Sequence, residues 1–377
     1  MKVAVFFTWD YSLNTWKESN TIERELKFFK FLEKNKNISF SFFTYGNKND
    51  IELGKKYGSF NVYPISKSFF NLKNKFLRLF ISFFIPILFK KEIEESNIIF
   101  QNQLLGCWIP IISKFIYKKP LIIRTGYDML DFAIKDRKPK TTILLYKLLT
   151  LLALRYADYF TVTSNTDFKR FTTNYPKYKN KILYRPNWVS ITKSSSIKKH
   201  ENRIISVGRL VEQKNYEFMI SEFKNTYDEI QLDIIGDGAN KEELLRQSKK
   251  MNVNVNFLGK IQNERLLNVL KEYKFFISCS TYEGNPKTIL EAMEAGCITF
   301  VSDIPNHKEL IIDEVDGLIF ELKENKLREK FNMVKNDIKL SEKISTNGSC
   351  KIKNNYSLEK SVELFFSDFV NLSRKYF

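Results

Sequence analysis

The chain contains few histidines and no D-x-D motif. Its only histidines, His200 and His307, lie far apart in the sequence. Metal sites in proteins are built from clusters of His, Cys, Asp and Glu side chains. The sequence therefore predicts no metal site and no metal cofactor.

Cysteine is scarce as well. The four cysteines (Cys107, Cys279, Cys297 and Cys350) are scattered and form no C-x-x-C pair, which excludes a disulfide framework and favours reduced thiols. Met1 is followed at once by the strand-like segment K-V-A-V-F-F, without a polar spacer or a small-residue cleavage site, so we expect no secretory signal. Both observations predict a cytoplasmic protein.

Short apolar segments alternate with helical patterns along the first half of the chain. The predicted strands are residues 3–7, 39–45, 97–101, 121–124 and 160–163, and the clearest helical patterns are 22–33 and 141–157. Such alternation is typical of a parallel sheet covered by helices. A chain of 377 residues fits two domains of about 180 residues each better than one.

A polar, Ser- and Lys-rich segment at 189–202 separates this series from a second one, and it predicts a linker. The second series has strands near Ile204, Leu232, Asn254, Phe275, Ile298 and Leu318. Helical periodicity closes the chain over 358–376. We therefore predict an N-terminal domain at 1–188, a C-terminal domain at 203–355 and a closing helix within 356–377.

Residues 280–294 place two carboxylates, Glu283 and Glu291, on either side of a Gly-Asn-Pro turn. Such a turn opens a helix, with Asn285 as the expected cap and Pro286 at the first helical position. The backbone amides that follow would form a site for a phosphate group at the positive helix end. These amides belong to Lys287, Thr288 and Ile289.

Two cations follow the first strand of the second series, which is predicted at 203–207. Arg209 and Lys214 lie just beyond Gly208. Arginine grips phosphate oxygens with a planar fork, and lysine adds a point charge. Together with the helix end, these two residues would hold a leaving diphosphate without a metal ion.

Five motifs in this half agree in order and spacing with one family. They are G-R-L-V-E-Q-K-N (208–215), I-I-G-D-G-A (234–239), F-L-G-K-I (257–261), E-x7-E (283–291) and E-A-G-C (294–297). They closely resemble the C-terminal domain of the retaining family 4 glycosyltransferases of GT-B fold, over roughly residues 200–320. The resemblance implies two Rossmann-like parallel-sheet domains that face a central cleft, with a last helix that crosses back to the N-terminal domain.

The resemblance also implies roles for individual residues. Arg209 and Lys214 would bind the donor diphosphate, Glu283 would lie by the donor sugar, and Glu291 would hold the ribose hydroxyls. The catalytic set is then Glu283, Arg209 and Lys214. The further donor-binding residues that we expect are Gly236 and Gly238, which let the chain approach the nucleotide, Lys260 and Ile261 near the nucleobase, and Gly284, Asn285, Pro286, Lys287, Thr288 and Ile289 at the helix start.

The first half departs from the family in two places. Many members carry a Gly-Gly loop after the first strand, where this chain has Trp9, Tyr11 and Trp16, and we expect these aromatic rings to contact the acceptor, although such rings more often pack on their own domain. Many members also place a His after the fourth strand, where this chain has R-T-G-Y-D. Arg124 and Asp128 are the acceptor candidates there, and helix capping is the alternative for Asp128.

Positive charge is concentrated in the first half. Residues 1–190 contain 32 Lys and Arg against 15 Asp and Glu, whereas the remaining residues contain 29 against 28. A field of this sign attracts an anionic surface, and phospholipid head groups are the partner that we favour. No nucleic-acid motif accompanies the charge, so we expect no nucleic acid partner. A coding bias toward Lys, Asn, Ile and Phe would also raise the basic count, but it would not place the charge in one half.

The segment 69–89 combines Phe and Leu with Lys73, Lys75 and Arg78. This is the composition of an interfacial helix. Its apolar part is too short to span a bilayer. A buried connecting helix is the alternative, and the sequence alone does not separate the two.

These features predict a retaining, metal-independent glycosyltransferase at the inner face of the cell membrane. It would move a sugar from a nucleotide-sugar donor to a cell-surface glycan such as lipopolysaccharide, a capsule or another lipid-linked glycan. A GT-B sugar-nucleotide epimerase is an alternative that should carry acidic and His residues in the N-terminal half. A non-catalytic partner of another transferase should have lost part of the Arg209, Lys214, Glu283 and Glu291 set. The sugar, nucleobase, acceptor, linkage and oligomeric state are left open.

Overall fold

The computed structural model describes residues 1–65, 75–192, 197–226 and 228–376, except for the side chain of Lys75. It divides into two compact units, one made of Met1–Pro186 with Ser361–Phe377 and the other of Asn187–Lys360. The division follows Pro186, two residues before the predicted end of the first domain at 188.

The first unit is built on a parallel sheet of seven strands among the described residues. The strands are β1 (Lys2–Phe6), β2 (Ser39–Thr44), β3 (Asn61–Pro64), β4 (Ile98–Asn102), β5 (Leu121–Thr125), β6 (Tyr159–Val162) and β7 (Ile182–Tyr184). Their order across the sheet is β3-β2-β1-β4-β5-β6-β7. The central strands are apolar on both faces because helices cover the sheet on both sides.

Helices connect these strands, and short polar residues mark several of their ends. Ser164 caps the helix Asn165–Asn174 by accepting from the amide of Asp167, and Asn37 ends the helix Ile22–Lys36 in a left-handed conformation. The helices of this unit are Leu13–Glu18, Ile22–Lys36, Lys48–Tyr57, Lys75–Ser82, Ile85–Leu88, Lys90–Glu94, Trp108–Tyr117, Met129–Lys135, Lys140–Tyr156 and Asn165–Asn174, with a 3-10 turn at Pro176–Lys181.

The second unit contains a parallel sheet of six strands among the described residues. They are β8 (His200–Val207), β9 (Gln231–Ile235), β10 (Asn254–Gly259), β11 (Tyr273–Ser278), β12 (Ile298–Ser302) and β13 (Leu318–Phe320), in the order β10-β9-β8-β11-β12-β13. The helices of this unit are Tyr216–Glu222, Lys241–Lys250, Asn263–Leu270, Lys287–Glu294, Pro305–Lys308, Lys326–Lys335 and Ile338–Asn355, with a 3-10 turn at Glu212–Lys214.

The two parallel sheets confirm the predicted fold class. All predicted strands are present, and the edge strands β3 and β7, which are 4 and 3 residues long, are additions that the sequence analysis did not predict. The predicted linker at 189–202 is different from what the structure shows. Residues 193–196 lie outside the described residues, whereas Val189 bridges to Ser357 and His200 begins β8, so both ends of the segment belong to the second unit.

The last helix, Leu358–Tyr376, packs most of its length on the first unit. Phe365 and Phe369 are buried there, and the ring of Phe369 lies 6.2 Å from that of Phe100. Asp368 accepts a bond of 2.7 Å from Nε of Arg185. Burial raises the pKa of Asp368, and the Arg185 guanidinium opposes that shift. The helix therefore completes the core of the unit in which the chain begins.

The segment expected to form one interfacial helix over 69–89 is interrupted. Residues 69–74, including Lys73, lie outside the described residues, and the rest forms the helices Lys75–Ser82 and Ile85–Leu88. The buried alternative does not hold for the first of these helices, because Phe76 is 84% exposed and Phe80 63%. Within the described ranges no helix combines the length and the apolar character needed to cross a bilayer.

Replacing Phe369 by Ala should destabilise the first unit strongly. The side chain is 1% exposed, so truncation leaves a cavity and should lower the free energy of unfolding by about 3–5 kcal/mol. Urea denaturation followed by tryptophan fluorescence reports mainly on this unit, which holds Trp9, Trp16 and Trp108. Ser367→Ala, on the exposed face of the same helix, is the control and should change stability by less than about 0.5 kcal/mol. Equal stabilities of the two variants would show that the helix is not part of this core.

Candidate functional site

The predicted donor residues lie where the strand order of the second sheet reverses. From β8 the chain continues outward to β9 and β10, and it then returns to place β11 on the other side of β8. The residues that follow β8 and β11 are therefore neighbours at the carboxyl edge of the sheet. In open parallel sheets such a switch point forms a crevice that binds ligands.

The loop after β8 and the loop after β11 are bonded to each other. Nε2 of Gln213 donates to the carbonyl oxygen of Tyr282 at 2.7 Å, and the amide of Thr281 donates to the carbonyl of Gln213 at 2.9 Å. These bonds hold Lys214 against the second loop. The loop after β8 and the loop after β11, which carry the two halves of the predicted site, are therefore in direct contact.

Lys214 and Glu283 form an ion pair at the centre of the site. Nζ of Lys214 donates to Oε1 of Glu283, and Oγ of Ser280 donates to the same oxygen at 2.7 Å. The Lys214 side chain is 15% exposed and that of Glu283 10%. Burial alone would raise the pKa of Glu283, but the Lys214 ammonium and the Ser280 hydroxyl outweigh it and leave this pKa below its usual range. Glu283 is therefore a carboxylate at neutral pH.

His307 lies beside this ion pair in the short helix Pro305–Lys308. Its Nδ1 is 2.9 Å from the carbonyl oxygen of Ser302, which can only accept, so Nδ1 carries the proton. Nε2 is then an acceptor, and it is buried without a hydrogen-bond partner among the described residues. Burial lowers the pKa of His307 to about 4, although the negative charge of Glu283 opposes the shift. The imidazole is neutral at pH 7.

The start of the helix Lys287–Glu294 differs from the prediction. Pro286, not Asn285, is the cap residue, and no side chain caps this end. Oδ1 of Asn285 instead accepts from the amide of Asn187 at 3.2 Å, and the amide of Ile289 already donates to the Pro286 carbonyl at 3.2 Å. The expectation of three presented amides is therefore wrong for Ile289.

Two other side chains of the predicted donor site differ in exposure. Arg209 is exposed, and its Nη2 lies 3.4 Å from Oε1 of Gln213. Glu291 is only 2% exposed, and its Oε1 accepts from Nδ2 of Asn263 at 2.8 Å. Arg209 is therefore accessible from solvent, whereas Glu291 is buried and held by Asn263.

The two glycines of the I-I-G-D-G-A motif serve close backbone packing. A Cβ atom on Gly236 would lie 1.8 Å from the carbonyl oxygen of Gly208, and one on Gly238 would lie 2.3 Å from that of Leu210. Their first role is thus to let the loop after β9 approach the loop after β8. Lys260, in the next loop, is exposed and 3.8 Å from a carboxylate oxygen of Asp237.

The aromatic residues predicted to contact an acceptor are not equivalent. Trp16 is 7% exposed and its ring lies 4.4 Å from that of Phe7, so the prediction that it contacts an acceptor is wrong. Trp9 is half-buried between Tyr45 and Trp108. Tyr11 is 46% exposed.

Asp128 has the structural role that was the alternative for it. Its carboxylate caps the helix Met129–Lys135 through the amides of Leu130 and Asp131 and pairs with Nε of Arg170 at 3.1 Å. Burial raises the pKa of Asp128, and the Arg170 charge opposes that shift. Arg124 is half-buried at the end of β5, where burial lowers its pKa and Glu25 opposes the shift.

Several residues that hold the site were not predicted. Nδ2 of Asn306 donates to the carbonyl of Gly284 at 2.8 Å, Nδ2 of Asn187 donates to the carbonyl of Asn285 at 2.6 Å, and the hydroxyl of Ser302 donates to the carbonyl of Ser280. Polar residues at the end of a parallel strand or shortly after it, as at Ser302 and Asn306, were the available indication. Asn187 carries no such indication in the sequence.

No group of three or more His, Cys, Asp and Glu side chains is arranged to hold a metal ion within the part of the chain that the structure describes. The positive charge at the site is supplied by Arg209 and Lys214. These are the residues that an anionic ligand would meet.

Comparison with known proteins finds a family match within the second unit. Residues 190–350 match the family described as glycosyl transferases group 1. The chain is 27% identical over 254 residues to the "GalNAc-alpha-(1->4)-GalNAc-alpha-(1->3)-diNAcBac-PP-undecaprenol alpha-1,4-N-acetyl-D-galactosaminyltransferase" of Campylobacter jejuni, covering 64% of this chain and 66% of that protein. It is 25% identical to the O-antigen biosynthesis glycosyltransferase WbnH of Escherichia coli, covering 76% of this chain and 83% of that protein. Other curated relatives are matched over 41% and 32% of their length.

A solved structure is similar over the whole chain. The Anabaena protein Alr3699/HepE in complex with UDP and glucose matches with a TM-score of 0.75 at 14% identity, covering 98% of this chain and 100% of that one. At this level of identity the likeness concerns the fold, which is GT-B.

Gly236→Ala should destabilise the site by crowding in addition to backbone strain, and Gly259→Ala is the matched control for the strain. Both glycines have positive φ, but a Cβ on Gly259 would meet nothing within 4 Å. The control should cost about 1–2 kcal/mol of backbone strain, and Gly236→Ala about 1–3 kcal/mol more because it displaces Gly208. Urea unfolding of both variants measures the difference, and equal losses would contradict the packing described.

The stability of the protein should fall in acid because of His307. The pKa of His307 is about 6.5, its ordinary value, in the unfolded chain and about 4 in the folded protein. Between these two pH values the unfolded chain therefore binds one more proton than the folded protein. The stabilisation is complete above pH 6.5 and is lost as the pH falls toward 4, with about 2 kcal/mol lost at pH 5. Urea unfolding at pH 7 and pH 5 gives the loss of unfolding free energy between the two pH values. This loss should be about 2 kcal/mol smaller for His307→Gln than for wild type. Parallel losses would contradict a buried neutral imidazole.

Proposed function

Because residues 190–350 are a glycosyl transferases group 1 domain in a chain of GT-B fold, we propose that the protein is a retaining glycosyltransferase that uses a nucleotide-sugar donor. The observation that carries the proposal is the buried Lys214–Glu283 ion pair at the switch point, with Arg209 exposed beside it. Two cations and one carboxylate are the groups needed to hold a diphosphate and orient a sugar.

The donor diphosphate binds to Arg209 and Lys214 in this proposal. Lys214 is bonded to Glu283, so the diphosphate competes with that carboxylate for the ammonium group. Glu283 is then left to bind sugar hydroxyls and to stabilise positive charge that develops on the sugar ring. Glu291 holds the ribose, and the residues around Lys260 and Ile261 receive the base. UDP is the nucleotide to test first, since it is bound in the HepE structure.

The transfer step needs strong stabilisation of the leaving group. The bond between the anomeric carbon and the diphosphate oxygen breaks, the acceptor oxygen attacks from the same face, and its proton passes to the leaving phosphate oxygen. Configuration is retained without a covalent intermediate. Fixed cations aimed at the leaving diphosphate supply this stabilisation, because they need no reorganisation during the reaction.

The acceptor in our proposal is a lipid-linked or other cell-surface glycan. The Campylobacter jejuni relative is named for an undecaprenol diphosphate substrate and the Escherichia coli relative for O-antigen biosynthesis. The concentration of positive charge in residues 1–190 favours work at the inner face of an anionic membrane. The protein would be a peripheral membrane enzyme in the cytoplasm.

Substitutions of the ion pair should have opposite effects on nucleotide binding. Lys214→Ala should remove most of the thermal stabilisation by UDP, because it removes a cation from the diphosphate. Glu283→Gln should bind UDP at least as tightly as wild type, because it removes the competing carboxylate, and yet it should lose transfer. For wild type, UDP at a hundred times its Kd should add about 2.7 kcal/mol of stability.

Thermal shift with UDP, GDP, ADP and CMP measures these effects, and Lys250→Ala, which removes an exposed cation at the end of the helix Lys241–Lys250 and outside the proposed site, is the control. Weaker UDP binding by Glu283→Gln would show that the carboxylate does not compete for Lys214. If none of the nucleotides stabilised wild type, the proposed donor site would be wrong.

Excess EDTA should leave sugar transfer almost unchanged, because Arg209 and Lys214 carry the charge that neutralises the leaving group. Transfer is measured with the donor identified by thermal shift. A loss of activity that Mg²⁺ or Mn²⁺ restores would contradict the metal-independent mechanism.

A further inference from the structure

The helix Lys140–Tyr156 exposes leucines along one face. Leu144 is 57% exposed, Leu148 50% and Leu152 40%, at a spacing of four residues that places them on one side of a helix. Leu145 beside them is 48% exposed, while the opposite side contributes Leu149 and Ala153 to the core. A helix on the surface of a soluble domain normally presents polar residues at these positions.

Two neighbouring helices continue this apolar surface. On the helix Trp108–Tyr117, Phe115 is 60% exposed and its ring lies 5.1 Å from that of Tyr156. Tyr117 donates to the carbonyl of Pro86 at 2.8 Å, which joins the surface to the helix Ile85–Leu88. The helix Lys75–Ser82, just before Ile85–Leu88 in the chain, adds further exposed apolar residues. The exposed apolar side chains of this four-helix surface, called here the docking face, are Phe76, Leu77, Leu79, Phe80, Phe83, Phe84, Ile87, Leu88, Phe115, Ile116, Leu144, Leu145, Leu148 and Leu152.

The helix Lys140–Tyr156 and the turn before it carry a net positive charge, although Asp136 in that turn is also exposed. The helix Lys140–Tyr156 contains no acidic residue, and Lys140, Lys147 and Arg155 on it are exposed. Arg137 and Lys138 are exposed in the turn before it. Apolar residues flanked by Lys and Arg are the composition of helices that lie in a membrane interface.

We propose that the docking face binds an anionic lipid bilayer, with the leucines in the interface and the basic residues on the head groups. The proposal rests on the proposed function, since a lipid-linked acceptor is met at such a surface. A second copy of the chain is a poorer partner, because a two-fold interface would bring the basic residues of both copies together. Protein interfaces are also depleted in Lys.

The docking face is joined to the loop that follows β1, where the sequence predicts acceptor contacts. Nη2 of Arg78 lies 3.0 Å from Oδ2 of Asp10, and the ring of Trp9 lies 5.3 Å from that of Trp108. Ser82 accepts from Nε1 of Trp108 at 2.9 Å. A bilayer on this face therefore brings lipid head groups next to that loop, so an acceptor glycan can reach the first unit while its lipid stays in the membrane.

Vesicle flotation of the full chain tests the proposal. Wild type should float with vesicles of phosphatidylglycerol and phosphatidylcholine and much less with phosphatidylcholine alone. Leu144→Gln with Leu148→Gln should reduce binding at least tenfold. The matched control is Met333→Gln with Ile338→Gln, which replaces two exposed apolar residues of the second unit and should bind as wild type does.

A charge variant separates the electrostatic contribution to vesicle binding from the apolar one. Lys140→Gln with Lys147→Gln should weaken binding to the anionic vesicles by about fivefold per lysine, since each basic residue near such a surface contributes about 1 kcal/mol. Lys249→Gln with Lys250→Gln, in the second unit, is the control. Binding should also fall as salt shortens the screening length from about 10 Å at 0.1 M to about 3 Å at 1 M.

The outcomes are distinct. Equal flotation of wild type and the leucine variant, or no flotation of wild type, overturns the docking face. A wild-type dimer in light scattering that the leucine variant lacks, without vesicle binding, assigns the face to a second copy and also overturns it. UDP thermal shift, measured in parallel, separates this from the proposed function, because a failed docking face leaves the UDP shift intact.

Discussion

The arrangement of the candidate site depends on the ion pair between Lys214 and Glu283. Each partner stands in a loop that follows a different strand, so the pair joins the ends of β8 and β11. A buried charge without a partner is costly, which means that both loops must keep their places for the pair to survive. Gln213, Ser280 and His307 are arranged around it, and their hydrogen bonds make sense as support for this one contact.

The same pair limits how Glu283 can meet a sugar in the resting site. The Lys214 ammonium and the Ser280 hydroxyl both donate to Oε1 of this carboxylate, so that oxygen is engaged before a donor binds. A diphosphate offers Lys214 a second, more highly charged partner. In our proposal, the arriving donor releases Glu283 from Lys214, which links the contacts of the carboxylate to the presence of the leaving group.

Much of this fold could be predicted from the sequence, because buried parallel strands consist of short apolar runs such as V-A-V-F in β1. The positions of Arg209, Lys214 and Glu283 also follow from local motifs. The role of Asn285 could not, because it depends on Asn187, 98 residues away. The exposure of the leucines on the helix Lys140–Tyr156 could not be predicted for a related reason. A run of leucines predicts a helix, but only the tertiary structure shows which of them lack a covering element.

The last helix has a consequence for how the protein is made. The first unit needs residues 361–376 to complete the core around Phe100, and these are synthesised after the whole of Asn187–Lys360. The second unit is continuous in sequence and can close while translation continues. On the ribosome the first unit is therefore completed last, and its core around Phe100 lacks Phe365 and Phe369 while more than 170 residues are added. Chaperones that shield apolar surface would have their longest opportunity there.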